Sequence, residues 1–275
     1  MSNPARTPIH RDKMRPESLS GRPDNGRALM ARQGKLNPAA MGLTMPVDAP
    51  FFVEKPPYWR GVHSYTFNYE TDPDAAAALV PAPLTLPEPV KASLIFNSFD
   101  WSTGGPYFEL MQGVHVEFEG KPCVYFTQLA VTEAVPLVTG REVYGFPKKL
   151  GRIEFVRQDD ILAMYYERPK GIRICSAVFR QIRPIAPPPE GISMKAVNLR
   201  VITCPEPGRD HSLCELILAE IVMSSAEIWV GEGNCSYTGI SELDPWHKLP
   251  VVKHLDASVL NCDSTLKGAR ILKRW

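Results

Sequence analysis

"RIEFVRQDDILAMYYERPKGIRICSAVFR", residues 152 to 180, decides the fold class. It divides into three apolar-rich runs, "RIEFVRQ", "ILAMYYER" and "IRICSAVFR", separated by Asp159–Asp160 and by Pro169–Lys170–Gly171. Short runs rich in Ile, Val, Tyr and Phe, broken by Asp, Pro and Gly, are expected to form antiparallel strands joined by tight turns. The rhythm continues on both sides. "GVHVEFEGKPCVYFTQLAVTEAV" reads as a hairpin turning at Glu119–Gly120–Lys121–Pro122. "HSYTFNYET" (63–71) alternates, with Tyr65, Phe67 and Tyr69 on one face. "VKASLIFNSF" (90–99), "VNLRVIT" and "CELILAEIVMSSAEIWVGEG" continue the pattern, and the β-branched residues of the last favour strand over helix. In "TDPDAAAALVP", Thr71 or Asp72 is placed to cap a short helix through the alanines, which Pro81 ends. Repeats and alternating β–α units are absent, which argues against a doubly wound parallel sheet. The expectation is a mainly β (α+β) fold, an antiparallel sheet or barrel with a few short helices.

The 275 residues, 44% hydrophobic and 22% charged, suffice for a substantial core in one domain or two. A net charge of +1 gives no general drive toward nucleic acid. No apolar run is long enough to span a membrane, and the polar N-terminus lacks a signal-peptide core. The six cysteines form no CxxC pair, so reduced thiols in a cytoplasmic protein are expected. Residues 1–45 hold eight Lys/Arg against three Asp/Glu and few large apolar residues, and read as a flexible or loosely docked arm before a domain over 46–275.

Several chemistries find no support. "STGGPY" (102–107) lacks the spacings of a phosphate loop. The histidines show no HExxH, and GxSxG is missing, so neither a metal site nor a serine nucleophile is indicated. "GFPKK" (145–149) is different, because it puts two lysines after Phe146 and Pro147. A solvated turn is the plain reading, since lysine is rarely buried. The sharper reading makes one of them a nucleophile. A lysine attacks carbonyls only when neutral, and desolvation or a neighbouring cation favours that form. Phe146 and Leu150 offer apolar surface, and the second lysine offers the cation.

"GREVYGFPKKL" (140–150) resembles the signature of the acetoacetate decarboxylase family. Activation of a lysine by an apolar pocket or a cationic neighbour is a property of that family rather than something these residues establish. The likeness extends to "TDPDAAAALVPAPLTL", "STGGPYFE", "CELILAEI", "EIWVGEG" and "LPVVK", and covers about residue 46 to the end. It implies an antiparallel barrel or cone, a symmetric homo-oligomer, one lysine pocket per subunit, and neither metal nor cofactor. It matches Lys148 to the Schiff-base lysine, Lys149 to the companion that lowers its pKa, and Glu109 to the pocket glutamate. Phe146, Tyr107, Tyr237 and Arg141 become pocket candidates, although a core or interface role suits Tyr237 better. Arg141 and Glu142, adjacent and taken as strand residues, suit ion pairs to other segments.

The departures bear on the reaction. The family's second glutamate, fifteen residues before the position of Glu109, falls without gaps on Leu94. Its arginine falls on Val62, with Arg60 two residues away. If both charges are gone, the resemblance slightly favours an aldolase–dehydratase acting on a pyruvate-like keto acid with an aldehyde. The alternative is decarboxylation of a β-keto acid, and the alternative of another class is a non-enzymatic small-ligand-binding barrel.

Overall fold

The computed structural model describes residues 32–52 and 54–275. Residues 1–31, most of the expected arm, lie outside the described residues. Gly42–Trp275 form one compact unit. Among the described residues there are eleven strands: β1 (Tyr58–Glu70), β2 (Lys91–Ser102), β3 (Tyr107–Phe118), β4 (Lys121–Val131), β5 (Lys148–Leu150), β6 (Arg152–Gln158), β7 (Ile161–Glu167), β8 (Arg173–Ile185), β9 (Ile192–Thr203), β10 (His211–Tyr237) and β11 (Lys253–Arg274). Helix α1 (Pro73–Ala77) follows β1 and helix α2 (Ala134–Tyr144) follows β4. No described helix is long and apolar enough to cross a membrane.

The meander read from 152–180 is present as β6–β7–β8, turning at Asp159 in the left-handed region. The β3–β4 hairpin turns where expected, with Glu119 and Gly120 both at positive φ, the geometry a two-residue hairpin loop requires. Asp72 caps α1 by accepting from Ala75 N at 2.8 Å. The stretch 214–233 is strand, part of the 27 residues of β10.

The sheet order is β11-β1-β2-β3-β4-β9-β10, and β10 pairs again with β11, closing a seven-stranded ring. The outer half of β10 carries β8, β7 and β6 as an extension. The result is a ring with an added sheet rather than a plain barrel. It is also not wholly antiparallel, since β4 runs parallel to β5 and to β9. The β4–β9 seam has only two paired positions, Val124↔Ala196 and Tyr125↔Val197, and β5 lies beside the end of β4 beyond it.

Strand alternation sorts the side chains into separate cores. Tyr65, Phe67 and Tyr69 of β1, with Leu94 and Phe96 of β2, pack against Met164, Tyr166 and Phe179 of the added sheet. Val62 of β1, Ile95 and Phe99 of β2 and Met111 of β3 point the other way, into the ring. That ring interior holds the candidate site.

Candidate active site

Helix α2 corrects the strand reading of Arg141 and Glu142. Val135, Val138, Thr139, Gly140 and Val143 are weak helix formers, so local propensity hides it. Pro136 is tolerated because it stands in the first turn, where its missing N–H is not needed. The helix ends at Gly145 with φ 71°, and a Cβ there would stand 2.8 Å from Arg200 Cβ and 2.9 Å from its backbone nitrogen. Arg200 Nη1 donates to the carbonyls of Glu142 (3.0 Å) and Val143 (3.2 Å), closing the helix end with a cation. Glu215 pairs with Arg200 and with Arg274. Burial pushes its carboxyl pKa up, but the two guanidiniums hold it below the usual range. Sequence reasoning missed Arg200, because its partners are backbone carbonyls far away in the chain.

Beyond Gly145, Phe146 N donates back to Gly140 O at 3.0 Å, and Pro147 brings the chain into β5 without an N–H to satisfy. Lys148 pairs with Leu129 of β4, and Arg141 Nη1 donates to the Lys148 carbonyl at 3.0 Å. Arg141 therefore fixes the backbone of β5 and does not line the pocket. Glu142 accepts from Thr44 Oγ1 at 2.7 Å.

Neighbouring residues of a strand face opposite ways, and this separates the two lysines. Lys148 enters the ring, 6% exposed, with Nζ 2.8 Å from Glu109 Oε2. Glu109 is buried too, carried inward by the alternation that sends Leu110 and Gln112 of β3 outward. Lys149 leaves the ring, donating to Leu243 O and lying 3.8 Å from Asp244 Oδ1. Burial lowers the Lys149 pKa below the usual lysine value against the opposing pull of Asp244. Asp244 also accepts from Tyr166 (3.2 Å) and Arg168 (3.0 Å). The companion lysine thus stands on the opposite face of β5 from Lys148 and is engaged there by Asp244.

Two aromatic rings border the Lys148 ammonium. Phe146 has its centroid 5.5 Å from Nζ and Tyr107 5.8 Å, within cation–π range. The Tyr107 hydroxyl accepts from Trp59 Nε1 at 2.9 Å. Burial first, then the Glu109 charge, push the Tyr107 phenol well above its ordinary pKa, so it remains neutral.

Lys148 stands where two cavities meet. An outer cleft of about 240 Å³ is lined by Phe52, Trp59, Val135, Pro136, Tyr144 and Leu266, among others. An inner cavity of about 70 Å³ is lined by Val62, Asn97, Met111, Met194, Met223 and Cys262, among others, and by Glu109. Both include Trp59, Phe146 and Lys148. Val62 thus lines the inner cavity, and Arg60 does not, pairing instead with Asp263 at 2.6 Å. Burial, then Asp263, push the Cys262 thiol up to about 12, which keeps it protonated and a poor nucleophile.

Two further candidates move away. Leu94 faces the other core, because it sits one position out of phase with the ring-lining Ile95. The residue across from Glu109 in the β2–β3 pair is Asn97, whose Nδ2 is 3.5 Å from Glu109 Oε1. Gapless counting hid Asn97, and the hairpin register was the signal that could have found it. Tyr237 packs in the core with Leu94, its hydroxyl 2.8 Å from that of Tyr69, so it lines neither cavity.

The chain is thus a β ring carrying a buried lysine–carboxylate pair beside an apolar cleft. The sequence model described as acetoacetate decarboxylase matches residues 44–274, and the chain belongs to that family. Decarboxylase DEC1 of Cochliobolus heterostrophus is 29% identical over 236 residues, 83% of this chain and 93% of that protein. The crystal structure of acetoacetate decarboxylase from Legionella pneumophila superposes with a TM-score of 0.76 at 22% identity, covering 90% of this chain and 99% of that one. The enduracididine biosynthesis enzyme MppR, solved with the condensation product of pyruvate and imidazole 4-carboxaldehyde, gives 0.73 at 21% identity over 88% and 99%. At these identities the two structures share the fold.

Proposed function

We propose that the chain is a Schiff-base lyase that decarboxylates a β-keto acid through Lys148, with Glu109 carrying the proton. The observation behind this reading is the buried 2.8 Å contact between Lys148 Nζ and Glu109 Oε2 at the junction of the two cavities. Transfer of one proton across that contact leaves a neutral amine and a carboxylic acid. The amine adds to the substrate ketone, and Glu109 returns the proton to the departing hydroxyl, which leaves as water. The protonated imine takes the electron pair of the breaking carbon–carbon bond as carbon dioxide departs. The resulting enamine is protonated at carbon by water. Hydrolysis then frees the ketone and the amine.

Loss of carbon dioxide suits the inner cavity. Among the described residues that line it, Lys148 is the one cation. A substrate carboxylate placed there is poorly solvated, and its departure as a neutral molecule relieves that cost. Leu94, half of the ground for preferring the aldol route, does not reach the site. The relative named a decarboxylase adds support. A second reading, aldol condensation and dehydration of a pyruvate-like acid with an aldehyde, draws on the 240 Å³ of the outer cleft, which leaves space for a second molecule beside Lys148. MppR, bound to such a condensation product, shares the fold. A purely binding role gives no reason to bury an ammonium and a carboxylate together, an arrangement that costs desolvation.

Borohydride trapping with acetoacetate and with pyruvate, read by peptide mass spectrometry against Lys148→Ala, tests the reading. An adduct on Lys148 with carbon dioxide release from acetoacetate is expected. Trapping of pyruvate alone, with consumption of an added aldehyde, moves the second reading ahead. No adduct and no carbon dioxide on folded protein overturns both and leaves the binding role.

The same reading includes a symmetric homo-oligomer acting in the cytoplasm. Ile240, Leu243 and Val252 are exposed and apolar, the kind of surface that subunits cover. Light scattering tests the assembly.

A further inference from the structure

The two cavities at Lys148 differ in size, and an imine carbon formed there would present one substituent to each. The inner cavity of about 70 Å³ is bounded by Asn97, Glu109, Met111 and Cys262, and admits a group of a few atoms. The outer cleft of about 240 Å³ is walled by Trp59, Val135, Pro136, Tyr144 and Leu266, with Lys55, Ser102 and Thr103 as its polar groups besides Lys148 and Thr139. A β-keto acid carries a carboxymethyl group on one side of its ketone and a variable group on the other. The carboxymethyl group fits the inner cavity. A methyl group would leave the aromatic and aliphatic walls of the outer cleft without a partner.

The opposite direction is less suited to an apolar group. Past Ser64, Met194, Met223 and Leu260, the ring interior widens into a cleft of about 670 Å³ lined with Glu88, Lys91, His115, Glu117, Ser193 and Lys195. Its polar walls would be desolvated without compensation by a hydrocarbon chain.

We propose that the preferred substrate is a β-keto acid bearing an extended apolar group on its ketone, an alkyl chain or ring seated in the outer cleft, and not the four-carbon acid. This rests on the decarboxylase reading and goes beyond it by assigning a substrate class to the cleft. The structural signal is the wall of Trp59, Tyr144 and Leu266 directly outside the lysine.

The test measures carbon dioxide release by the full chain from acetoacetate, 3-oxohexanoate and 3-oxooctanoate. Each methylene taken up by the cleft should raise kcat/KM by roughly fourfold, so a gain of at least about tenfold from the four-carbon to the eight-carbon acid is expected. In Val135→Phe, which narrows the cleft, the ratio of eight-carbon to four-carbon kcat/KM should fall. Carbon dioxide from all three acids with flat or falling kcat/KM overturns the tail assignment and leaves the decarboxylase reading intact. An unchanged ratio in a folded Val135→Phe removes the tail from this cleft. Carbon dioxide from none of the acids overturns both.

Discussion

Gly140→Ala isolates what places the lysine. Gly140 lies inside α2, where glycine costs about 1 kcal/mol relative to alanine. A Cβ at this position would stand 2.6 Å from Lys148 Cδ, 2.7 Å from Cε and 3.3 Å from Nζ. Carbon atoms pack at about 3.5–4.0 Å, so the lysine stem must retreat by about 1 Å. The atoms that move belong to the end of a flexible chain beside two cavities, so they can yield without disturbing the core. Stability should therefore change little, and the gain in helix propensity of about 1 kcal/mol should offset much of the strain.

Turnover should respond very differently. The Nζ–Glu109 contact is 2.8 Å, and a shift of about 1 Å takes it out of hydrogen-bond range, a displacement that can cost roughly a hundredfold in rate. Thermal unfolding and carbon dioxide release should be followed on the same preparation. A Tm within a few degrees of the parent's, with a rate loss of about two orders of magnitude, is expected. Unimpaired turnover in a folded Gly140→Ala would refute the claim that α2 reserves this lane for the lysine. A collapse in Tm would refute the claim that the strain is absorbed by the side chain.

Glu109→Gln keeps the shape of the site and removes its proton carrier, so kcat should fall by about 10²–10⁴ while the Lys148 adduct can still be trapped, slowly, by borohydride. Lys149→Gln should leave turnover nearly unchanged and cost about 1 kcal/mol or less of stability, the worth of a partly exposed pair, because its partner is Asp244 and not the site. A large drop in kcat in that variant would restore the companion role. Burial raises the Cys235 thiol from 9.0 to about 12, so above pH 9 the unfolded chain releases a proton that the folded chain keeps. That share of stability is complete below pH 9 and is lost toward pH 12, at no more than about 1.4 kcal/mol per pH unit. The fall of Tm between pH 9 and 11 should be shallower in Cys235→Ala, and an identical slope would count against the assignment.

Most of the strands were legible because they carry their own signals, β5 and the long β11 excepted. The β3–β4 hairpin has its turn residues, β1 has its alternation, and β6–β8 have Asp–Asp and Pro–Lys–Gly between them. Helix α2 was not legible, because glycine and β-branched residues contradict it locally and Arg200, Arg141 and the Phe146–Gly140 bond support it from elsewhere. Closure of the ring was hidden for a similar reason. It depends on β10 returning to pair with β11, and on a β4–β9 seam that joins strands far apart in sequence.

At the site, distance along the chain does not give the side of the sheet a residue faces. Lys148 and Lys149 are adjacent in sequence, which by itself suggests a second ammonium next to the first. In a strand it means the reverse, since one enters the ring and the other meets Asp244 outside it. Leu94 fell at the counted position, but one step along β2 changes the core a residue faces, and Ile95 and Asn97 hold the ring side. Glu109, matched through "STGGPYFE", and Val62, reached by counting, both line the inner cavity. Deletion of Glu109 and deletion of Lys149 should therefore separate cleanly, the first changing chemistry and the second changing stability alone.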